Sequence, residues 1–393
     1  MRRIIALLFF CVTLTAIAEA PRQPRIRISS WYWLNAAPQS DWAGDFVTMK
    51  HLGFTDVLLC WGLDAAGVVT RKNDTLEAIR EAHRAGLGSY LFIWQPRAQS
   101  LPLNPKFQQV DSDGRLLETF DTFNPEWRHT QWKTYLQDIS HTYSREPGLA
   151  GYVFDDSFTS PGGNGFVSYG EFERKAFGKT LPKKPGEPDW DEWTQKRMGW
   201  WEDWARDTVG YLHDFDRHRD HEIYLEDTAT SLLSGTRREH AGLDFMRVAR
   251  HFDAVGGYTA PRWSSDLDAD KKVAELTENA IVGMKKMIPI DKQLIYTFWS
   301  ANVAEERTPG AAQFPTAKQI REVCEIALKL GIHHIDMYGY RIGATQQKRE
   351  EWTIWMPAEP APYRLTGQFT QKFIWDRPEI HDELGTYLRS LNR

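Results

Sequence analysis

Eight β-prone runs punctuate this sequence, and each is followed by helix-forming sequence. That alternation restricts the chain to folds that lay helices against a parallel sheet. The runs are Ile26 to Trp33, Phe54 to Trp61, Leu87 to Trp94, Leu149 to Asp155, Glu222 to Thr228, Phe252 to Tyr258, Gln293 to Trp299 and Ile332 to Tyr340. Between them the patterning predicts helices over roughly Asp41–Leu52, Asn73–Arg84, Pro125–Tyr143, Trp190–Arg217, Asp268–Met287 and Thr316–Leu330, with a last one near Glu379–Leu391. Gly53, Gly86 and Gly331 stand where three of these should stop, as helix C-termini favour. Eight strand–helix units in 393 residues predict an α/β fold, a (β/α)8 TIM barrel, with long loops after strands 3 and 4 and a C-terminal tail helix. An open doubly wound sheet fits less well, because no strand leads into a Gly-rich phosphate turn.

The first twenty residues read differently. Met1-Arg2-Arg3, the apolar run Ile4 to Ile17 and the small-residue pattern around Ala16, Ala18 and Ala20 have the form of a cleaved secretory signal. The run is shorter than the roughly 20 residues of a spanning helix. The expected organisation is therefore a signal peptide over 1–20 and one barrel over 21–393, secreted or periplasmic, with no membrane attachment after cleavage. Beyond the leader only Cys60 and Cys324 remain, which is no disulfide framework. A net charge of −5 with both signs interspersed offers no basic field for nucleic acid. Nothing in the sequence indicates an oligomeric state.

In a barrel the ligand site is built at the carboxyl ends of the strands. Those ends carry Trp31 and Trp33, Trp61, Trp94, Asp155 and Asp156, Glu226 and Asp227, Tyr258, Trp299, and finally Tyr338, Tyr340 and Arg341. Barrel interiors favour branched aliphatics, so aromatics recurring at one end predict a cup of stacking surfaces suited to sugar rings. The chain's 17 Trp supply them. Neighbouring strand residues point oppositely, so of Asp155 and Asp156 one acts and the other supports it. Glu226 or Asp227 ends the next strand. Two carboxylates flanking a cleft are the minimum for glycoside hydrolysis, one protonated as general acid and one ionised as nucleophile or base. Asp336 lies earlier in its strand and is expected to support the ligand-binding rim through a salt bridge, while Arg341 and the aromatics orient the sugar. His333 and His334 are adjacent on a strand and point apart, so neither they nor any other motif predicts a metal, and no cofactor is expected.

Trp42 with Met49-Lys50-His51-Leu52-Gly53-Phe54-Thr55, Asn124-Pro125-Glu126-Trp127, Pro147-Gly148-Leu149-Ala150-Gly151-Tyr152, Phe177-Gly178 and Arg307-Thr308-Pro309-Gly310 form a set of segments. Together they resemble clan A glycoside hydrolase barrels, especially the family 42 β-galactosidases. The resemblance implies a barrel glycosidase acting on a carbohydrate. It does not carry over the family's catalytic residues. That family has Asn-Glu at the end of strand four, where this chain has Asp156-Ser157, and a Glu ending strand seven, where this chain reads Leu294 to Ser300 without an acid. Barrel glycosidases of other clans use an Asp at strand four, to which Asp155 or Asp156 is similar. The alternative expectation is a carbohydrate-binding barrel without hydrolysis; a metal-dependent deacetylase lacks its His-x-x-x-His partner.

Overall fold

The computed structural model describes residues 25–61, 67–93, 104–155, 168–216, 220–261, 263, 267–300, 314–341 and 374–392. The leader, Trp94, Asp156 and the Arg307–Gly310 segment lie outside the described residues. Eight parallel strands form a closed barrel: β1 (Arg27–Trp33), β2 (Asp56–Cys60), β3 (Gly88–Phe92), β4 (Leu149–Asp155), β5 (Glu222–Thr228), β6 (Ala254–Thr259), β7 (Gln293–Trp299) and β8 (His334–Arg341). Each strand pairs with its sequence neighbours, and β8 pairs with β1 to close the ring. The expected fold class is the observed one.

Among the described residues seven longer helices run outside the barrel: α1 (Gln39–Leu52), α2 (Lys72–Arg84), α3 (Lys133–Tyr143), α4 (Trp190–Phe215), α5 (Leu267–Met287), α6 (Ala317–Lys329) and α7 (His381–Leu391). The two-residue period of the strands divides their side chains between them and the barrel interior. Val57, Leu59, Leu91, Tyr152, Phe154, Ile223, Leu225, Val255, Tyr296, Phe298 and Met337 face the helices in one large cluster. Burial of such a side chain stabilises the fold by about 1.5–3 kcal/mol. The interior set is smaller and more polar: Trp31, Trp33, Leu58, Tyr90, Phe92, Val153, Tyr224 and Ile295, with the buried Ser29, His334 and Asp336 among them.

Local chemistry explains the helix ends. Thr316 and Gln319 form a reciprocal capping box at the start of α6. Gly53 ends α1 at φ 106°, and a Cβ there would lie 2.8 Å from the backbone nitrogen of Arg389, so α7 lies directly over it. Asn392 donates to the Gly53 carbonyl at 2.7 Å, which ties α7 to the turn that ends α1.

One difference from the sequence reading matters for the site. The segment after β3 is not plain loop but carries an antiparallel hairpin, Gln108–Val110 with Leu116–Phe120. Its turn was legible: the Asp111 carboxylate accepts from the N–H groups of Asp113 and Arg115, and Gly114 takes φ 86°. The hairpin meets the segment after β4 through Tyr169 N–H donating to the Val110 carbonyl at 2.8 Å.

Candidate active site

The interior face ends, at the carboxyl ends of the strands, in a pocket of about 70 Å³ lined by Trp31, Asp155, Glu226, Tyr258, Thr297, Trp299 and Tyr338. Two of the four catalytic candidates meet there. Asp155 and Glu226 pair in register on β4 and β5. With Val153 and Tyr224 in the interior cluster, a two-residue step places both carboxyls on the same inner face. Glu226 is fully buried and Asp155 half-buried.

Asp227, one residue on, takes the opposite face. Arg237 grips it with two bonds, Nε to Oδ2 at 3.1 Å and Nη2 to Oδ1 at 2.9 Å, and the Thr228 N–H adds a third. That bidentate geometry fixes a carboxylate as a structural anion behind the barrel wall rather than in the pocket.

The aromatic residues divide in the same way. Tyr258, Trp299 and Tyr338 form a ladder across β6, β7 and β8, with Tyr258 stacked on Trp299 at 6.3 Å and Trp299 on Tyr338 at 4.9 Å. Trp31 meets Tyr338 edge-on at 5.5 Å and completes the wall. Trp33 also points inward but is buried in the interior cluster.

Three residues expected at the rim are turned away from it. Trp61 packs among the helices, where its indole donates to Thr75 on α2 at 2.9 Å and the Arg71 guanidinium lies 4.7 Å from its ring. Tyr340 stacks on Tyr32 and meets Phe54 in the outer cluster. Arg341 binds Asp41 at 3.0 Å and Asp45 on α1, with Trp375 over its guanidinium at 3.8 Å. For Tyr340 the cause is a register shift: between Ser30 and Tyr32 of β1, the paired residues of β8 advance from Met337 to Arg341. The extra residues end the alternation after Tyr338, so a count along the sequence assigns Tyr340 to the wrong side.

Asp336 sits one step below the pocket, fully buried. Its partners are neutral, not the expected salt bridge: Ser29 Oγ donates to Oδ1 at 2.7 Å, Trp31 Nε1 to Oδ2 at 2.7 Å and Thr297 Oγ1 to Oδ2 at 3.4 Å. Burial pushes its pKa up to about 6, against the opposing effect of these donors. Thr297 and Tyr224 were missed in the sequence. Thr297 precedes Trp299 by two residues, so the same alternation that turns the indole inward turns this hydroxyl inward. The Tyr224 phenol is buried beneath Glu226; burial, then the nearby Glu226 carboxyl, keeps it from ionising. Among the described residues, no group of three or more His, Cys, Asp or Glu side chains is gathered as metal ligands would be.

A closed parallel barrel is also what comparison with solved structures finds. The chain superposes on a β-galactosidase from the Antarctic haloarchaeon Halorubrum lacusprofundi with a TM-score of 0.66 at 12% identity, over 93% of this chain and 58% of that one. The fold is the one glycoside hydrolases use. The glycoside hydrolase domain of PgaB (BpsB) from Bordetella bronchiseptica matches with a TM-score of 0.59 at 14% identity, over 81% of this chain and 95% of that one. An endo-1,4-β-D-mannanase from Thermotoga petrophila matches at 0.55 and 10% identity, over 93% and 99%. This chain spans 54% to 58% of the length of the β-galactosidases it matches. No protein-family model and no curated protein sequence matches it.

Proposed function

We propose that this chain is an exported glycoside hydrolase acting on a poly- or oligosaccharide, with Asp155 and Glu226 as its carboxylate pair. The observation that carries the reading is their in-register placement on adjacent strands, lining one pocket with the Tyr258–Trp299–Tyr338 ladder and Trp31. Glu226, the more enclosed carboxyl, is assigned the role of general acid and the more accessible Asp155 that of nucleophile or base. The stacked rings offer apolar faces to a sugar, and a water-shielded pocket strengthens the electrostatics of bond cleavage. Export rests on the form of the first twenty residues. Among the described residues no helix is long and apolar enough to cross a membrane.

A second reading, a barrel that holds glycan without cleaving it, has one observation in its favour: the residues that the end of β7 turns into the pocket are Thr297 and Trp299, neither of them an acid. One experiment separates the two. Hydrolysis of a panel of β-linked galacto-, manno- and N-acetylglucosamino-oligosaccharides is measured with the parent protein, Asp155→Asn and Glu226→Gln. Loss of a positioned acid or base lowers kcat by about 10²–10⁴-fold. Binding without turnover in the parent supports the second reading, and turnover untouched by both substitutions overturns the assignment of the pair.

A further inference from the structure

We infer that Asp336 is a positioning residue of the candidate site: it contacts no ligand itself but fixes, through Oδ2, the Trp31 indole and Thr297 hydroxyl that line the pocket floor. The inference rests on the reading of that pocket as the sugar site. The bonds from Ser29, Trp31 and Thr297 converge on this carboxylate as acceptor. Behind it a second layer sets its orientation. Ser29 Oγ lies 2.9 Å from His334 Nε2 as well as 2.7 Å from Asp336 Oδ1. With the Ser29 proton committed to the carboxylate, His334 must donate through Nε2–H. His334 stays neutral above pH about 3, because burial, then the Arg27 charge, disfavours its cation. The line therefore runs His334 to Ser29 to Asp336 to Trp31, from the barrel centre to the pocket.

The arrangement has a pH consequence. A protonated Asp336 would turn one acceptor into a donor and displace one of the three bonds, so the floor loosens as pH falls through about 6. The groups facing Asp336 are Ser29 and Trp31 of β1, Thr297 of β7, His334 of its own strand, and Tyr224 of β5, with Glu226 and Asp155 above.

The test compares Asp336→Leu, Asp336→Asn, Trp31→Phe and the double variant Asp336→Leu/Trp31→Phe. Leu removes the acceptor, so KM on the oligosaccharide panel should rise about tenfold with a smaller change in kcat, the signature of lost uniform binding. Asn keeps an acceptor for the indole, so it should stay within about threefold of the parent and lose the pH dependence of KM near 6. In the Trp31→Phe background the Leu substitution should add little, as expected for two residues acting through one contact. A readout without substrate is the indole N–H resonance that vanishes in Trp31→Phe. In the parent and Asp336→Asn it should stay in the hydrogen-bonded range, and in Asp336→Leu it should move upfield. Asp336→Asn folds under the gentlest change, so its pH profile and resonance decide the matter even if Asp336→Leu fails to fold. A resonance insensitive to both substitutions and to pH, or a Leu effect fully additive with Trp31→Phe, overturns the inference. If no glycan is cleaved or bound, the functional reading fails and the indole resonance still tests the link.

Discussion

Ser29 stands in register between two interior carboxyls, Asp56 on β2 and Asp336 on β8, and the pair shows how one barrel gives the same residue type opposite characters. Both are buried. Burial, the largest single effect at Asp56, would raise its pKa too, but the charge and hydrogen bond of the Arg27 guanidinium, 3.2 Å away, together with the Thr55 hydroxyl hold the carboxyl below its usual range. Asp336 has only neutral donors, and its pKa rises to about 6. Arg27 also reaches Glu222 at 3.0 Å, so the lower end of the barrel is closed by a charge-paired network, while the upper end leads through Asp336 to the pocket. The difference teaches that hydrogen bonds without a countercharge leave a buried acid titratable, and a single well-placed arginine does not.

The largest effect should come from removing that arginine. Arg27→Met leaves Asp56 and Glu222 without their shared cation and should cost about 3–5 kcal/mol in urea unfolding at pH 7. A loss under about 1 kcal/mol would mean that the countercharge is not what separates the two aspartates. Next is the pH linkage. A folded pKa raised to about 6 means that the Asp336 contribution to stability is full below the ordinary aspartate pKa of about 3.9 and is lost as pH rises through 6. From pH 4 to pH 7.5 the parent should therefore lose about 2.4 kcal/mol relative to Asp336→Asn, read from paired urea titrations. Asp56 has the opposite sign: its contribution is present above the ordinary range and is lost as pH falls below it toward its depressed folded value.

A third buried site sharpens the comparison with a smaller effect. Asp121, at the end of the hairpin, and Glu173, on the segment after β4, are two buried carboxyls close enough to act on each other, so ionising both at once is disfavoured. Burial raises both, and at Asp121 the neighbouring Glu173 raises it further, against Arg128. By the same sign as Asp336, this pair favours the fold at acid pH and loses its contribution as the pH rises. Glu173→Gln removes one of the two buried charges without requiring a bound proton. It should raise stability at pH 7.5 by about 1 kcal/mol, with the gain fading toward pH 4, as thermal melts at the two pH values would show.

How much of this was legible varies with the range of the interaction. Local signals placed the strands and helices: β-branched and aromatic runs, glycines at helix ends and the Thr316–Gln319 box all act within a few residues of one another. The hairpin turn at Asp111–Gly114 was equally local and was passed over. The site was only half legible. That acids and rings gather at the strand ends follows from the sequence once a barrel is assumed, yet the sequence left Asp155 open against Asp156 and Glu226 against Asp227.

Strand alternation says that adjacent residues face opposite ways, but not which way is in. Sequence alone determined the eight repeats, the parallel order they imply and the stock of carboxyls and indoles near one end. Closure of the ring decided that Glu226 faces the pocket while Asp227 meets Arg237, and the slip of β8 against β1 decided that Tyr338 is a wall and Tyr340 is core. The physical reason is that the pattern within a strand repeats every two residues, whereas its phase is set by contacts with strands and helices far away in the chain.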